Sequence, residues 1–280
     1  MSVNKIVTKV DGVENKTIDF NDLKSDLAAG AHTITVEAFN GSTLINSQTK
    51  NITIAAVAEA IPHDHYYNFD EISGDLIDRK GTANGTLSGS IVRQEIGIKN
   101  QAYKFNGVNT YISVPGLNNE FTGSFSVGIW AKFSTDPTSF IRMIQNRGGG
   151  SAGSVKGWQI STDGTNYLNT MIDSGIGTAG GVGANINFED VLFGEADSNF
   201  HFFALTFNTS TGEGKFYIDG VMKSAKTNSN LIGVDFTSTD NFEIGRSSDG
   251  NQYVDGNQDE LYTYKGVWTP TEISDYVTNI

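Results

Sequence analysis

The chain has no cysteine. Disulfide bonds, a thiolate zinc site and a cysteine nucleophile are therefore excluded. Proline is scarce, at 4 of 280 residues. Basic residues are also few: 19 lysines and arginines stand against 32 aspartates and glutamates, for a formal net charge of −13. A nucleic acid or an anionic membrane surface calls for a basic face, so neither is expected as a partner. No run of about 18 apolar residues occurs, and no membrane-spanning helix is expected. The segment from Met1 to Thr8 lacks the apolar stretch of a secretory signal. That leaves a protein kept in its cell, one whose signal was trimmed, or one released by another route, such as a virus particle freed by lysis.

Glycine (32), phenylalanine (17) and tyrosine (10) are frequent, and short alternating runs separate them. This composition points to an all-β chain of antiparallel sheets. In residues 1–54, Ile34, Val36 and Ala38 alternate with polar neighbours, as in a half-buried strand. Asp11-Gly12 and Asn40-Gly41 read as hairpin turns. Residues 55–65 read as a linker, and residues 66–280 as a single large β domain. Within it Phe125, Val127, Ile129 and Ala131 share one strand face, and Trp130 is expected in the core. Asp219-Gly220 suits a type I′ turn, in which both central residues need positive φ. Thr269-Pro270-Thr271-Glu272 is a capping box with proline in the first turn, starting a helix that packs through Ile273 and Tyr276. Trp268, just before it, reads as a packing residue.

Trp158–Ser161 and Tyr167–Ile172 read as strands flanking Thr162-Asp163-Gly164, but residues 145–199 as a whole, punctuated by Gly148-Gly149-Gly150 and Ala179-Gly180-Gly181-Val182-Gly183, read as long loops at one edge or rim, the usual seat of binding specificity. Trp158, Tyr167 and Tyr253 lie in or beside such loops and are the candidate ligand-binding residues, because aromatic faces stack on sugar rings. Catalysis is not expected. The run Glu-x-Asp-x-x-Glu is absent, and the adjacent pairs Asp70-Glu71 and Asp259-Glu260 would point to opposite faces of a strand. No serine triad, Walker loop or dinucleotide-binding unit is expected. His63-Asp64-His65 reads as exposed linker rather than a metal site.

Several segments carry a family resemblance. Tyr67–Gly74 looks like an opening strand and loop, and Tyr103–Pro115 resembles the pattern Phe-x-Gly-x-x-x-Tyr-(Ile/Val)-x-Val-Pro. Phe125–Lys132, Phe216–Gly220, Phe242–Gly245 and Asp259–Tyr264 follow in the same order. Together they resemble laminin-G-like/concanavalin A-like lectin domains, across nearly all of residues 66–280. The resemblance implies a concanavalin-like antiparallel β-sandwich (jelly roll). It also implies calcium, with Asp70, Asn109 and Asp259 as ligands. Leu27–Val36 resembles a strand of bacterial and phage immunoglobulin-like modules, which makes residues 1–54 a small immunoglobulin-like anchor. The expected protein is a non-catalytic phage decoration, fibre or adhesin component on a virion surface or otherwise extracellular. Its expected partners are a glycan or cell-surface receptor, other virion proteins bound through residues 1–54, and further copies of itself. A secreted bacterial carbohydrate-binding module is the alternative.

Overall fold

The structure is a computed structural model that describes residues 5–10, 13–15, 30–40, 43–54, 61–137, 139–148, 155–164, 167–175, 185–189, 191 and 197–280. The chain divides into two compact units, residues 1–59 and 60–280. In the first unit, β1 (Lys5–Val10), β2 (Val13–Asn15), β3 (Gly30–Asn40) and β4 (Thr43–Ile54) form an antiparallel sheet in the order β2-β1-β3-β4. Val10 pairs with Val13, the register a two-residue hairpin requires, although Asp11-Gly12 itself lies outside the described residues. Residues 55–60 of the expected linker also lie outside them.

The second unit is a sandwich of two antiparallel sheets. One holds β17 (Val221–Thr227), β16 (Glu213–Ile218), β15 (His201–Asn208), β10 (Phe125–Phe133), β19 (Asp255–Tyr264), β8 (Gln101–Asn106) and β7 (Val92–Ile96) in that order, with β5 (His65–Tyr67) also paired to β19. The other runs β14 (Asn185–Asn187), β13 (Met171–Ser174), β12 (Lys156–Thr162), β11 (Ile141–Arg147), β18 (Phe242–Ile244), β9 (Tyr111–Val114) and β6 (Thr86–Ser88). This is the expected jelly roll. Strand alternation builds its core: Phe125, Val127, Ile129, Ala131 and Phe133 of β10 all join the buried cluster between the sheets. At the β16–β17 hairpin, Asp219 (φ 51°) and Gly220 (φ 79°) both take the positive φ of a type I′ turn.

The segment 145–199 departs from expectation. Among its described residues it supplies β12, β13 and β14, three neighbouring strands of the seven-stranded sheet, rather than rim loops alone. β12 contains the expected strand Trp158–Ser161, whereas β13 (Met171–Ser174) overlaps only the end of the expected Tyr167–Ile172.

The outer face of the eight-stranded sheet is closed by helix α1 (Pro270–Asn279). The capping box forms: Glu272 N donates to Thr269 Oγ1 at 3.2 Å, and Thr269 N donates to Glu272 Oε2 at 2.7 Å. Ile273 and Tyr276 sink into a cluster with Trp130, Phe202, Tyr217, Tyr262 and Trp268. Trp130 Nε1 donates to Tyr276 Oη at 3.0 Å, and Trp268 Nε1 donates to Pro62 O at 2.6 Å. Trp130 therefore packs in this outer cluster rather than between the sheets. Gly128 lies beneath the same cluster, and a Cβ built there would meet the Phe202 ring at 2.4 Å.

His65 fastens β5 to the loops beside it. Its Nδ1 lies 2.6 Å from Asp78 Oδ2, and its Nε2 lies 2.7 Å from Glu120 Oε2. The side chain is buried, so the expected exposed linker is corrected here. His63 too is engaged, edge-on to the rings of Tyr66 and Tyr262. Burial opposes a charge on His65, but the two carboxylates outweigh it and hold the pKa above the ordinary 6.5. Burial likewise opposes the charge on Asp78, yet His65 and the amides of Gly81, Lys80 and Ala83 pull its pKa down to about 2.

The folded chain holds a proton on His65 that the unfolded chain releases, so this contribution is complete below pH 6.5 and fades as pH rises past the folded value. His65→Gln should cost about 1–3 kcal/mol near pH 6 and less at pH 9, read as Tm against pH. Gly128→Ala should cost about 1–3 kcal/mol in urea denaturation, because the Phe202 ring is wedged between the new methyl and Tyr276.

Candidate functional site

The outer face of the seven-stranded sheet carries one continuous row of side chains that is polar at every position but Met171. Register places Thr86 opposite Ser113, Ser113 opposite Glu243, Glu243 opposite Gln145, Gln145 opposite Gln159, Gln159 opposite Met171 and Met171 opposite Asn187. One position along, the row Leu87, Ile112, Ile244, Ile144 and Ile160 faces the core. A period of two thus sorts one sheet into an apolar inner face and a hydrogen-bonding outer one.

A cavity of about 460 Å³ opens on this face, lined among others by Arg142, Gln159, Ser161, Asn169, Met171 and Asn187. Its polar groups are held in place by one another. Gln145 Oε1 accepts from Arg142 Nη1 at 2.5 Å, and Gln145 Nε2 donates to Arg147 O at 2.7 Å. Gln159 Nε2 donates to Ser161 Oγ at 2.9 Å and to Asn169 O at 3.1 Å, and Ser161 Oγ donates to Asn169 O at 2.6 Å. Gln159 Oε1 is buried without a hydrogen-bond partner, an acceptor left over on the cavity side chain. Arg147 lies 3.8 Å from Asp173, and Glu189 on the wall accepts from Asn187 Nδ2. Met171, together with Phe140, supplies apolar surface. Fixed donors and acceptors beside a small apolar patch are the requirements for holding a polyhydroxylated ring.

The residues expected at the site fare differently. Trp158 is corrected. It lies on β12 opposite Asn146, fully buried, with its ring 5.4 Å from Phe125, 5.0 Å from Phe121 and 5.7 Å from Phe242. Its strand position points inward, so it packs in the core. Tyr167 is 41% exposed and precedes the bridge of Leu168 to Thr162, but it does not line the cavity. Tyr253 lines a neighbouring hollow that shares Phe140 and Gln252 with the cavity, and its ring lies 6.5 Å from Tyr111.

Asp70, Asn109 and Asp259, the expected calcium ligands, are each engaged by neighbouring protein groups. Asp70 Oδ1 accepts from Gln101 N at 2.9 Å at the start of β8, whereas Asn109 is bonded to Asn106 at the end of β8. Asp259 accepts from the amides of Ile98 (2.9 Å), Lys99 (3.2 Å) and Glu260 (2.9 Å). Among the described residues no group of three histidine, aspartate or glutamate side chains is placed to hold a metal ion.

The carboxylate pairs also depart from the simple alternation. Asp70 and Glu71 lie in the loop after β5, where Glu71 accepts from Arg79 Nη2 at 2.6 Å. In β19 a bulge between the pairs Gly128–Tyr262 and Trp130–Asp259 inserts Glu260 at φ 48°. Its carboxylate accepts from Tyr66 Oη (2.8 Å) and Tyr262 Oη (2.5 Å) on the outer side that Asp259 also occupies, opposite Trp130. Burial, then the charge of Glu260, pushes Asp259 up to about 8. Burial raises Glu260 as well.

Two letter patterns fall between strands of the seven-stranded sheet. Gly149-Gly150-Ser151-Ala152-Gly153 matches Gly-x-Ser-x-Gly, and Gly175-Ile176-Gly177-Thr178-Ala179-Gly180 matches Gly-x-Gly-x-x-Gly. The first motif requires a strand-to-helix turn, and so does the second. Here the next described elements are the strands β12 and β14. Apart from Gly175, both patterns lie outside the described residues.

Fold and site together define a lectin-like jelly roll with a polar outer face on its seven-stranded sheet. The chain belongs to the concanavalin A-like lectin/glucanases superfamily: the Laminin_G_3 family model matches residues 106–274. Among solved structures it is similar to domain 4 of AbnA, a GH43 extracellular arabinanase from Geobacillus stearothermophilus, in complex with arabinotriose. That match has 22% identity and a TM-score of 0.56, and covers 78% of this chain and 100% of that one. It is also similar to the binding domain of botulinum neurotoxin DC, solved with rat synaptotagmin II (15% identity, TM-score 0.57, 77% of this chain and 51% of that one). The same toxin's binding domain solved with SialylT matches at 14% identity and TM-score 0.55, covering 80% and 52%. The chain spans about half the length of those toxin domains. At these identities the structural likenesses establish the fold. No curated protein matches the chain.

A raised carboxylate pKa contributes stability that is complete below the unfolded value. For Asp259 that value is 3.8, and the contribution is lost as pH rises through about 8. Glu260→Gln removes the repulsion and leaves an acceptor for a tyrosine hydroxyl. The fall in Tm between pH 5 and pH 9 should be smaller in the variant, and an unchanged slope would count against the coupling.

Proposed function

We propose that the chain is a non-catalytic attachment module that binds saccharides in the cavity on the outer face of its seven-stranded sheet. The observation that carries this reading is the ordered polar row from Thr86 to Asn187, with the preorganised Gln159–Ser161–Asn169 cluster at the cavity. A volume of about 460 Å³ lies within the roughly 300–1,000 Å³ usual for small-ligand sites. The similar arabinanase domain was solved with arabinotriose, which supports a glycan as ligand. The non-catalytic reading is supported by where the acids sit. Asp259 and Glu260 are on the other sheet under aromatic rings, and Asp173 is taken up by Arg147 and the Gly175 amide. Glu189 is the one carboxylate among the described residues lining the cavity, whereas glycoside hydrolysis needs two flanking the bond.

The module reads as a displayed head. The absence of cysteine and the small N-terminal sheet, whose β3 carries the Gly30–Val36 pattern that resembles bacterial and phage immunoglobulin-like modules, support a virion surface with that sheet as mount. The likeness to a domain of an extracellular arabinanase favours the second setting, a secreted bacterial carbohydrate-binding protein. Finding the native protein in purified particles, or free in the medium, decides between them.

A glycan array probed with the full chain should return a defined set of hits. The double variant Gln159→Ala/Asn187→Ala should weaken binding of the best hit about tenfold or more, at a Tm within a few degrees of the parent. A blank array, or a hit unaffected by the double variant, would remove the cavity as the binding site.

A further inference from the structure

The cavity contains one group that a neutral sugar does not explain. Arg142 is only 7% exposed, yet among the described residues no carboxylate lies within 4 Å of its guanidinium. Its hydrogen-bond partner is the neutral amide of Gln145, which orients the group but does not balance its charge. Gln145 is in turn anchored on Arg147 O, so the guanidinium is held in one pose at the cavity wall. The neighbouring charges are accounted for. Arg147 faces Asp173 at 3.8 Å, Asp249 acts on both arginines from beyond ion-pair distance while bonded to Ser247, and Glu189 is bonded to Asn187. Burial and the charge of Arg147 both depress the Arg142 pKa, to about 10, which still leaves it cationic at neutral pH. A buried, oriented guanidinium without a carboxylate partner is costly to the free protein and suited to a planar anion brought by a ligand.

We infer that the cavity selects an acidic saccharide, a sugar bearing a carboxylate such as a uronate or a sialate, with Arg142 as the specificity-determining partner of that carboxylate. This rests on the cavity being the saccharide site. Gln159 Oε1 and Glu189 then accept from sugar hydroxyls while Arg142 donates to the acid. The sign is unexpected for a chain of net charge −13, and it makes the preference local rather than a property of the whole surface.

Titration calorimetry of the intact chain tests this with trigalacturonate and 3′-sialyllactose, each against its carboxyl methyl ester. One acid should bind at least tenfold more tightly than its ester, and which one does so identifies the sugar class. Arg142→Gln should bring the affinity for the acid down to that for its ester, and Arg142→Lys should restore the preference in part. Equal binding of acid and ester would overturn the inference, as would an acid preference that survives Arg142→Gln. The ester comparison uses the unmodified protein, so it decides even if the variants fail to fold. Neutral glycans bound through Gln159 with no acid preference would sink this inference alone, and no binding by any glycan would sink the saccharide reading with it.

Discussion

The register of β11 against β12 is the constraint on which the site depends. With Gln145 opposite Gln159 and Asn146 opposite Trp158, every polar side chain of the row faces out and Trp158 faces in. A slip of one residue would put the tryptophan in water and the amides in the core. The aromatic contacts of Trp158 with Phe121, Phe125 and Phe242 therefore specify the face on which Arg142 and Gln159 stand. Truncating such a ring in a core costs about 3–5 kcal/mol, far more than any one outward hydrogen bond contributes. The outward polar row is thus positioned by packing on the opposite side of the same strands.

The two outer faces of the sandwich have separate tasks. On the eight-stranded sheet, α1 and the ring cluster around Tyr262 and Tyr276 bury the outer side chains. Trp130, Phe202 and Tyr217 there contribute apolar burial that a bare sheet face would lose. On the seven-stranded sheet the row of Ser, Glu, Gln and Asn side chains replaces such a cover. The capping box at Thr269 starts the helix at the point where it can lie over Trp130.

Much of this is legible in the sequence because it is local. Alternation in Phe125–Phe133, the turn at Asp219-Gly220 and the cap at Thr269 each depend on a few adjacent residues, and each is where the pattern puts it. What escapes depends on partners distant in the chain. Glycine-rich punctuation obscures how far the sheet extends through this segment, because β12 pairs with β11, β13 with β12 and β14 with β13, and no local pattern names those partners. Trp158 reads as a ligand residue because it stands beside loop-rich segments, yet the polar neighbours Gln159 and Ser161 form the outward half of its strand and the tryptophan points inward. The rule that sends Asp259 and Glu260 to opposite faces is cancelled by a single inserted residue. Arg142 and Gln159 carry no motif, and register alone brings them to one cavity.

That last point bears on how such a site is maintained. A buried guanidinium beside a second arginine works against folding, and a well-packed apolar residue in its place would be neutral or stabilising. The fold accommodates it because Gln145 supplies orientation without neutralising the charge, and because the core beneath is large and aromatic. Were Gln145 an acid, the protein would gain an internal ion pair and the cavity would lose its cationic donor. The neutral amide at that position therefore leaves the guanidinium charge unbalanced by its hydrogen-bond partner, which is the feature the proposed acidic ligand would meet.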